Sequence, residues 1–527
     1  MSRSVAVVGS GPGGMYVVQA LLKLVPELRI DVIERLPSPF GLIRGGVAPD
    51  HYTTKNVARA FEKSILSKTV RYLGNVDVGR DVTVADLEAI YDAVVLAYGA
   101  PKDNRLGIKG EDKKNVFGSN EFVFWYNGHP DYRGLDPDLN IQAAAVVGVG
   151  NVGVDVARVL AKTPSEMAMT DLADHAAKVI HASPIKDIWL FGRRGPTEAA
   201  FTNVELREMG ELDNCAPVMD AAQIPEKPDL SWLGDRDARL REKNIETLRS
   251  FIGAPTAGKA KRLHFVFYAA PVEILGSDRV EGVRLERTRP LGAGKVAATG
   301  EFFEVACQLV VTCIGSRGHP IDGVPFDDRR GIVVHDRGKV RDRLYAAGWV
   351  KRGATGTIGT NKTDSDEVAN HVVNDFAGPE RPGPAALDAL LAKRGEEVRP
   401  VSYADWQLID KAEIAAAAKP APRGSTWPRP TARPSAPTMS AACCARRSCS
   451  TPARGAIAAR STRPSCAAPR TRRSSRPCAC RNRSGFAPRP TASSAAPGGT
   501  PTSSARSAAA SSRTARSSPA SSARMAR

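Results

Sequence analysis

The sequence predicts an α/β fold that contains two strand–turn–helix units of the same design. The first unit opens with the apolar run Ser4–Val8 and continues through a glycine-rich turn, residues 9–14, into a helical pattern that reaches Leu22. The second unit opens with Ala143–Val147 and continues through a similar turn, residues 148–153. Short apolar strands that alternate with helical segments are typical of parallel sheets covered by helices.

The first turn has the spacing of a dinucleotide-binding turn. Its first glycine permits the tight bend, the second lets the backbone approach a pyrophosphate, and the third lets the helix pack closely on the strand. The free N–H groups at the helix N-terminus can then bind the phosphates. The residues that we predict to contact the nucleotide here are Gly9, Gly11, Pro12 and Gly14.

The next predicted strand, residues 30–33, ends at Glu34, which lies 20 residues after Gly14. At this position an acid accepts hydrogen bonds from the adenosine ribose and would repel a 2′-phosphate. The first site is therefore predicted to hold FAD or NAD. A plain structural turn is the alternative, but strand, turn, helix, strand and acid occur in the order that a nucleotide site requires.

The second turn carries a different signal at the end of its next strand, Asp187–Phe191. Gly192, Arg193 and Arg194 follow this strand, where the first unit has its acid. Two guanidinium groups can bind a 2′-phosphate, which favours NADP over NAD, although a surface arginine pair is the alternative. Two dinucleotide sites of this kind predict hydride transfer between a nicotinamide and a flavin. The residues of the second turn that we predict to contact the nucleotide are Gly148, Gly150, Asn151, Val152, Gly153 and Val154.

The net charge of +18 comes from the end of the chain. Residues 421–527 contain 20 Arg and no Lys, Asp or Glu, which leaves a net charge of −2 for residues 1–420. They also lack Leu and Val, so they cannot bury enough apolar surface to offset the entropy of ordering. We interpret residues 406–527 as a disordered tail or, preferably, an out-of-frame translation of G+C-rich DNA. A basic tail for nucleic acid and a solvated extension without a role are the alternatives.

The cysteines and the first residues predict a reducing, cytoplasmic setting. Six of the nine cysteines lie after residue 440, and Cys215, Cys307 and Cys313 are too scattered for a disulfide framework. Residues 1–3 lead directly into a strand, which is not the layout of a signal peptide or a presequence. No run approaches the roughly 18–20 apolar residues that span a bilayer.

The cysteines also argue against a disulfide reductase, which needs a close redox pair beside its flavin. Cys307 and Cys313 lie on one predicted strand, residues 305–313, which would put them roughly 20 Å apart. No group of residues in the first 420 is suited to an iron–sulfur centre, and we predict no metal site. Electrons must therefore leave to a separate acceptor.

Beyond these motifs, the chain resembles the adrenodoxin reductase-like NADPH–ferredoxin reductases, in particular their actinobacterial members. The matching segments are ordered as in that family and lie between residue 5 and about residue 375. Gly153 is a departure, because the relatives carry Ala there. The segments that carry the resemblance are residues 40–51, 150–158, 192–196, 199–202 and 348–362.

The resemblance implies an FAD-binding domain built from residues 1–105 and 316–405, with an NADP-binding domain, residues 106–315, inserted between them. It also implies FAD and NADP(H) as cofactors and a ferredoxin-type iron–sulfur protein as the electron acceptor. The implied flavin contacts are Glu34, Leu42, Val78, Trp349, Gly356, Thr357 and Ile358. The implied NADP contacts are Arg105, residues 151–154, Arg193, Arg194, Glu205 and Gly356. The implied proton-handling pair near the nicotinamide is His51 and Glu208.

Judged from residue type alone, each of these positions could also have a purely structural role. A lone histidine such as His51 is more often a satisfied structural residue, and Glu205 and Glu208 lie three apart on a predicted helix, residues 203–209, that could be a solvated face. Trp349 could be an ordinary core residue. Residues 356–358 form either a plain loop or a turn whose N–H groups face the flavin.

The acceptor assignment rests on the resemblance, because the basic run around residues 236–243 is interleaved with acids and is typical of a solvated helix face. An NADPH-dependent flavin reductase or diaphorase that serves another acceptor is therefore an alternative. From different classes, nucleic-acid binding through the basic tail and a non-catalytic nucleotide sensor are further alternatives. We expect neither nucleic acid nor membrane as a partner.

Overall fold

The computed structural model describes residues 3–417, whose framework is two parallel sheets of six strands each. The first sheet combines strands from the beginning of the chain with a pair from residues 339–346. Its strand at one edge, Lys339–Arg341, runs antiparallel to its neighbour, and all other pairings are parallel. In order across the sheet the strands are Lys339–Arg341, Leu344–Ala346, Ala93–Leu96, Ser4–Val8, Arg29–Ile33 and Val70–Leu73.

The second sheet is parallel throughout and comes from the middle of the chain. A third, antiparallel sheet of three long strands packs against it. The strands of the second sheet are, in order, Val116–Gly118, Leu309–Thr312, Ala143–Val147, Asp187–Phe191, Lys261–Val266 and Cys215–Met219. Those of the third sheet are Ala269–Leu275, Gly282–Gly292 and Lys295–Ala306. The two parallel sheets confirm the predicted α/β class with two Rossmann-like units.

The chain crosses between the two parallel sheets twice, and its two crossing segments pair with each other. Lys102–Asp103 runs antiparallel to Ser316–Arg317. This ribbon lies beside the predicted domain limits at residues 105 and 316, and the limits themselves stay a proposal. A second short pair, Phe326–Asp327 with Ile332–Val333, follows on the carboxyl side.

The helices follow or connect the strands. The α-helices are Pro12–Leu24, Leu42–Gly45, Tyr52–Lys55, Ala58–Ile65, Val84–Ile90, Ser119–Tyr126, Asn151–Ala161, Pro164–Met167, Asp174–Ala182, Asn203–Glu208, Asp235–Ser250, Trp349–Arg352, Thr360–Asn374, Pro384–Ala392 and Tyr403–Ala416. Short 3-10 turns lie at Pro130–Tyr132, Pro196–Glu198, Ala221–Gln223 and Gly395–Glu397. None of the helices within residues 3–417 combines the length and apolarity needed to cross a bilayer.

The central strands of both parallel sheets are buried on both faces. Every residue of Ser4–Val8 and of Ala143–Val147 is buried. This is why both strands are continuous apolar runs in the sequence, since a strand covered by helices or another sheet on each side has no solvent face to fill with polar residues. The turns that follow these strands therefore start from a rigid base.

The strand predicted for residues 305–313 is wrong. The antiparallel strand Lys295–Ala306 ends before Cys307, and the parallel strand Leu309–Thr312 begins in a different sheet. The chain changes sheet at Gln308, whose N–H donates to the Ala143 carbonyl at 3.0 Å. Cys307 and Cys313 are both buried and free, and burial raises the pKa of the Cys307 thiol to about 12.

The last described helix, Tyr403–Ala416, docks on the first half of the chain, so the predicted tail boundary at residue 406 lies inside folded structure. Trp406 is 4% exposed, and the Arg44 guanidinium lies 4.4 Å from its ring centre. Arg44 also forms an ion pair of 2.5 Å with the buried Glu413. Sequence reasoning missed this helix because the composition changes a few residues later. Residues 418–527, on which the rest of the tail prediction falls, lie outside the described residues.

We predict that Trp406→Ala lowers the free energy of unfolding by about 3 kcal/mol, because it leaves a cavity and removes the ring under Arg44. Leu408, on the same helix, is 64% exposed. Leu408→Ala is therefore the matched control, with an expected loss below about 0.5 kcal/mol. Urea unfolding followed by circular dichroism measures both, and equal losses in the two variants would show that the helix is not docked through Trp406.

Candidate functional site

The first glycine turn leaves room for a ligand only at Gly11. Gly9 has φ +104°, and a Cβ there would lie 2.6 Å from the Ala97 carbonyl oxygen. A Cβ on Gly14 would collide with the Gly9 carbonyl, whereas a Cβ on Gly11 would meet nothing within 4 Å. Gly9 and Gly14 are thus needed for backbone packing, and the space beside Gly11 is open for a pyrophosphate, as the spacing predicts.

Glu34 faces this turn from the end of the neighbouring strand. Its Oε2 accepts hydrogen bonds from the Ser10 N–H at 3.0 Å and the Ser10 hydroxyl at 2.6 Å, and its Oε1 accepts one from the Leu36 N–H at 3.2 Å. Three donors hold the carboxylate in one orientation. Oε1 accepts only one of these bonds and keeps a further lone pair, so the group can still accept a ribose hydroxyl.

The segment that begins with Gly41 lies directly on the first turn. Gly41 has φ +49°, and a Cβ on it would lie 3.1 Å from the Cα of Gly11. The short helix Leu42–Gly45 starts from this contact, which brings Leu42 beside the turn. Val78, another implied flavin contact, is partly buried against the apolar cluster that contains Val8, the last residue before the turn.

The second turn repeats this geometry. Gly148 has φ +127° and packs against the Cys313 carbonyl, a Cβ on Gly153 would collide with the Gly148 carbonyl, and Gly150 faces open space. An alanine at position 153 would therefore need a slightly different backbone. Asn151 Oδ1 accepts a hydrogen bond of 2.7 Å from the Thr202 N–H, which ties the turn to the start of the Asn203–Glu208 helix.

Arg193 and Arg194 are exposed just beyond the carboxyl end of the strand Asp187–Phe191, beside the second turn. Their backbone is held from two sides, since the Arg193 carbonyl accepts a 2.7 Å hydrogen bond from the Thr288 hydroxyl and the Arg194 carbonyl one of 3.2 Å from the Tyr268 N–H. Within residues 3–417 neither guanidinium forms an ion pair, so both are free to bind a phosphate. A fixed backbone with free cationic side chains suits a 2′-phosphate site.

His51 lies in a cluster of charged residues that come from distant segments of the chain. Its Nε2 is 3.1 Å from Glu205 Oε2 and 3.4 Å from Glu208 Oε2, and its Nδ1 is 3.9 Å from Asp155 Oδ1. The structure therefore brings together the two residues predicted as a proton-handling pair. Glu205, predicted to contact NADP, faces the same imidazole.

Arg158 is the centre of this cluster, and sequence reasoning missed it. Its side chain is 0% exposed. The signal for it was a cation five residues after the predicted turn on a largely apolar helix, where a buried charge requires partners. It forms ion pairs with four carboxylates, those of Asp50 (2.9 Å), Asp155 (2.8 Å), Glu205 (3.2 Å) and Glu208 (3.4 Å).

The cluster shifts the pKa values of its members in different directions. Burial and the Arg158 charge oppose the imidazolium of His51, but its hydrogen bond to Glu208 and the Asp155 and Asp50 charges outweigh them, so the pKa of His51 is raised. Burial raises the pKa of Glu205. Burial opposes the Glu208 carboxylate, but the hydrogen bond to His51 and the charges of Arg158 and His51 together outweigh it, so the pKa of Glu208 is lowered. Adjacent acids with pKa values moved apart are typical of sites that hold or transfer protons.

The carboxylates of this cluster are close enough to one another to surround a cation. Arg158 already supplies positive charge at their centre, so a divalent ion would meet repulsion there. The absence of a metal site stays a prediction.

The loop that carries the remaining implied flavin contacts follows Gly348. Trp349 is partly buried in the short helix Trp349–Arg352, and its indole N–H donates to the Thr355 carbonyl at 3.1 Å. Gly356 has φ +78°, which suits glycine. The Thr357 N–H donates to the Thr360 hydroxyl at 3.1 Å. This N–H, which the sequence suggested could face the flavin, therefore has a partner within the loop.

Arg105 differs from the other predicted residues, because no contact joins it to either turn. It is 69% exposed, and its Nε lies 3.5 Å from Glu111 Oε2. Its proposed contact with NADP stays a prediction.

The geometry agrees with what known proteins of similar sequence do. The chain is 41% identical over 431 residues to human mitochondrial NADPH:adrenodoxin oxidoreductase, a match that covers 78% of this chain and 87% of that protein. It is 38% identical over 437 residues to the NADPH-ferredoxin reductase FprA of Mycobacterium tuberculosis, covering 78% of this chain and 94% of the relative. The chain belongs to the adrenodoxin reductase-like NADPH–ferredoxin reductases.

Two further comparisons agree with this family. Residues 3–187 match the model of the pyridine nucleotide-disulphide oxidoreductase family. The structure of Mycobacterium tuberculosis FprA in complex with NADPH superimposes with a TM-score of 0.74 at 37% identity, covering 79% of this chain and 95% of FprA. The family resemblance predicted from the motifs is therefore confirmed, and with it the α/β architecture.

We predict that Glu208→Gln lowers the pKa of His51. The change removes the largest contribution that raises this pKa, whereas burial and Arg158 continue to lower it. NMR titration of the His51 ring protons measures the shift, with a His51→Gln variant to assign the signal. Glu211→Gln, an exposed acid just after the same helix, is the control and should leave the titration unchanged. The same His51 titration in the unmodified protein, Glu208→Gln and Glu211→Gln would contradict the contact between Glu208 and His51.

Proposed function

We propose that this protein passes electrons from NADPH through FAD to a ferredoxin-type iron–sulfur protein. The observation that carries the proposal is that the two open glycine turns have opposite charges where a ribose would lie. Glu34 at the first turn disfavours a 2′-phosphate, and Arg193–Arg194 at the second favour one. FAD, when bound, supplies the conversion of a two-electron hydride into single electrons. The family members to which the chain is similar are named for this reaction.

The first turn fits FAD. Space beside Gly11 admits the pyrophosphate, and the carboxylate of Glu34 is oriented by Ser10 towards the same turn. An acid in this place favours a ribose with free hydroxyls over one that carries a 2′-phosphate. Leu42, Val78, Trp349 and residues 356–358 complete the flavin contacts that we propose.

The second turn fits NADP(H). Gly150 leaves the same opening, and the helix Asn151–Ala161 presents its N-terminal N–H groups to the phosphates. The exposed guanidiniums of Arg193 and Arg194 lie where a 2′-phosphate needs a cation. We propose Arg105 and Glu205 as further contacts with this nucleotide.

The residues around His51 hold a proton beside the nicotinamide end of the site in this proposal. The raised pKa of His51 favours the protonated imidazole, and Glu208 lies where it can accept the hydrogen bond of the Nε2 proton. Hydride transfer itself needs no nucleophile, so the main task of the protein is to hold the two rings in contact.

The state of the described cysteines is consistent with electrons that leave to a separate acceptor protein. Cys215, Cys307 and Cys313 are buried and free, and among the described residues no pair of them forms a disulfide. Burial raises the pKa of Cys215 to about 12, which leaves this thiol unreactive. The cytoplasmic location and the absence of nucleic acid as a partner remain predictions from the sequence.

We predict that Arg193→Gln and Arg194→Gln each raise the KM for NADPH by about tenfold, because each removes a charged hydrogen bond to the 2′-phosphate. The KM for NADH should not change, since NADH lacks this group. Arg279→Gln is the control, because this arginine is also exposed but pairs with Asp138. Equal effects on NADPH and NADH would mean that the arginines act on the fold and not on the phosphate.

The function as a whole is tested by the rate of NADPH-driven cytochrome c reduction by the purified yellow protein, with and without a low-potential ferredoxin. We expect ferredoxin to raise the rate strongly and NADH to support it poorly. If NADPH bleaches the flavin but ferredoxin adds nothing, the two cofactor sites stand and the acceptor is a different one.

A further inference from the structure

The loop that contributes Trp349 and residues 356–358 is exposed at its centre. Residues 355–357 are exposed, and Gly353 and Gly356 both have positive φ values. A flexible loop would lose entropy when it closes on a cofactor and would bind it weakly. Something outside the loop must therefore fix it in advance.

Asp364, on the helix Thr360–Asn374, contacts the segment that leads into this loop. Its Oδ2 accepts a hydrogen bond of 2.6 Å from the Gly348 N–H. The same carboxylate forms ion pairs with Lys351 at 2.7 Å and Arg352 at 3.1 Å. Asp364 is only 10% exposed, so these contacts are shielded from water.

Arg352 extends this contact across the loop. Its second terminal nitrogen donates to the Thr355 carbonyl at 3.2 Å and to Asn361 Oδ1 at 2.9 Å. The Thr355 carbonyl also accepts the Trp349 indole N–H. One guanidinium thus joins the two ends of the loop and fixes the carbonyl that orients Trp349.

The same helix also contacts the first glycine turn. The buried hydroxyl of Ser365 donates to the Gly13 carbonyl at 3.0 Å. A Cβ on Gly348, which has φ +71°, would lie 3.1 Å from the Cα of Gly13. Asp364 and Ser365 therefore set the position of the flavin-side loop relative to the pyrophosphate turn.

We propose that Asp364 and Arg352 form a positioning pair that holds Trp349 and the 353–359 loop in the flavin-binding arrangement. The inference rests on the proposed flavin site. The pair also sets the local charge, because Asp364 partly neutralises Lys351 and Arg352, and the further acid, Glu367, is 42% exposed. Loss of the acid leaves an excess positive charge near the loop, and loss of the arginine leaves an excess negative one.

The test compares Asp364→Asn and Arg352→Gln in the full-length protein. We expect each variant to raise the dissociation constant for FAD by about tenfold. The double variant should have a dissociation constant no higher than that of the single variant that binds FAD less tightly, since the two residues act as one unit. Asp366→Asn is the matched control, because Asp366 lies on the same helix in an exposed pair with Lys362. It should bind FAD like the unmodified protein.

The midpoint potential of the bound flavin separates positioning from general damage. Asp364→Asn should raise it and Arg352→Gln should lower it, because their charge changes are opposite. Shifts in the same direction, or FAD binding unchanged in both variants, would overturn the proposal. If Asp364→Asn does not fold by circular dichroism, Arg352→Gln still decides through its affinity and the sign of its shift. An unmodified protein that binds FAD but is not bleached by NADPH would contradict the proposed function and not this inference.

Discussion

The buried guanidinium of Arg158 joins segments that lie far apart in the chain. It lies on the helix that follows the second glycine turn and contacts Asp50, which lies about a hundred residues earlier in the sequence, and Glu205 and Glu208, which lie about fifty residues later. Removing a buried cation from four carboxylates would leave uncompensated charge, which is far more costly than the net worth of the pairs. The position of His51 depends on this network, because Asp50 precedes it and both glutamates face it.

The same physical reasoning distinguishes the two nucleotide sites. Both use a first glycine with positive φ packed on a neighbouring strand, an open second glycine and a third that cannot accept a Cβ. What differs is the charge at the edge of the next strand, an acid held by Ser10 in one site and two free arginines in the other. The backbone therefore selects a dinucleotide, and the side chains select which one.

Membership of the wider pyridine nucleotide-disulphide family does not bring a disulfide to residues 3–417. Cys215 begins a strand of the second sheet, and Cys307 and Cys313 each follow directly after a strand end; all three are buried, and burial raises their thiol pKa values. The residues that we propose to lie at the nicotinamide end are instead an imidazole and carboxylates, which can hold protons but not electrons. This chemistry suits a protein whose electrons leave to a partner.

The sequence by itself determined the two Rossmann-like units, their cofactors and the family, because these depend on local patterns: buried strands, glycine spacing and the residue after the strand. It also located His51 and Glu208, although only the family resemblance indicated that they meet. Tertiary structure alone decided that Arg158 lies at the centre of the cluster, that Asp364 and Arg352 brace the flavin-side loop, and that the helix Tyr403–Ala416 belongs to the fold. These contacts join residues far apart in the chain, and no local pattern records which distant partner a buried charge will find.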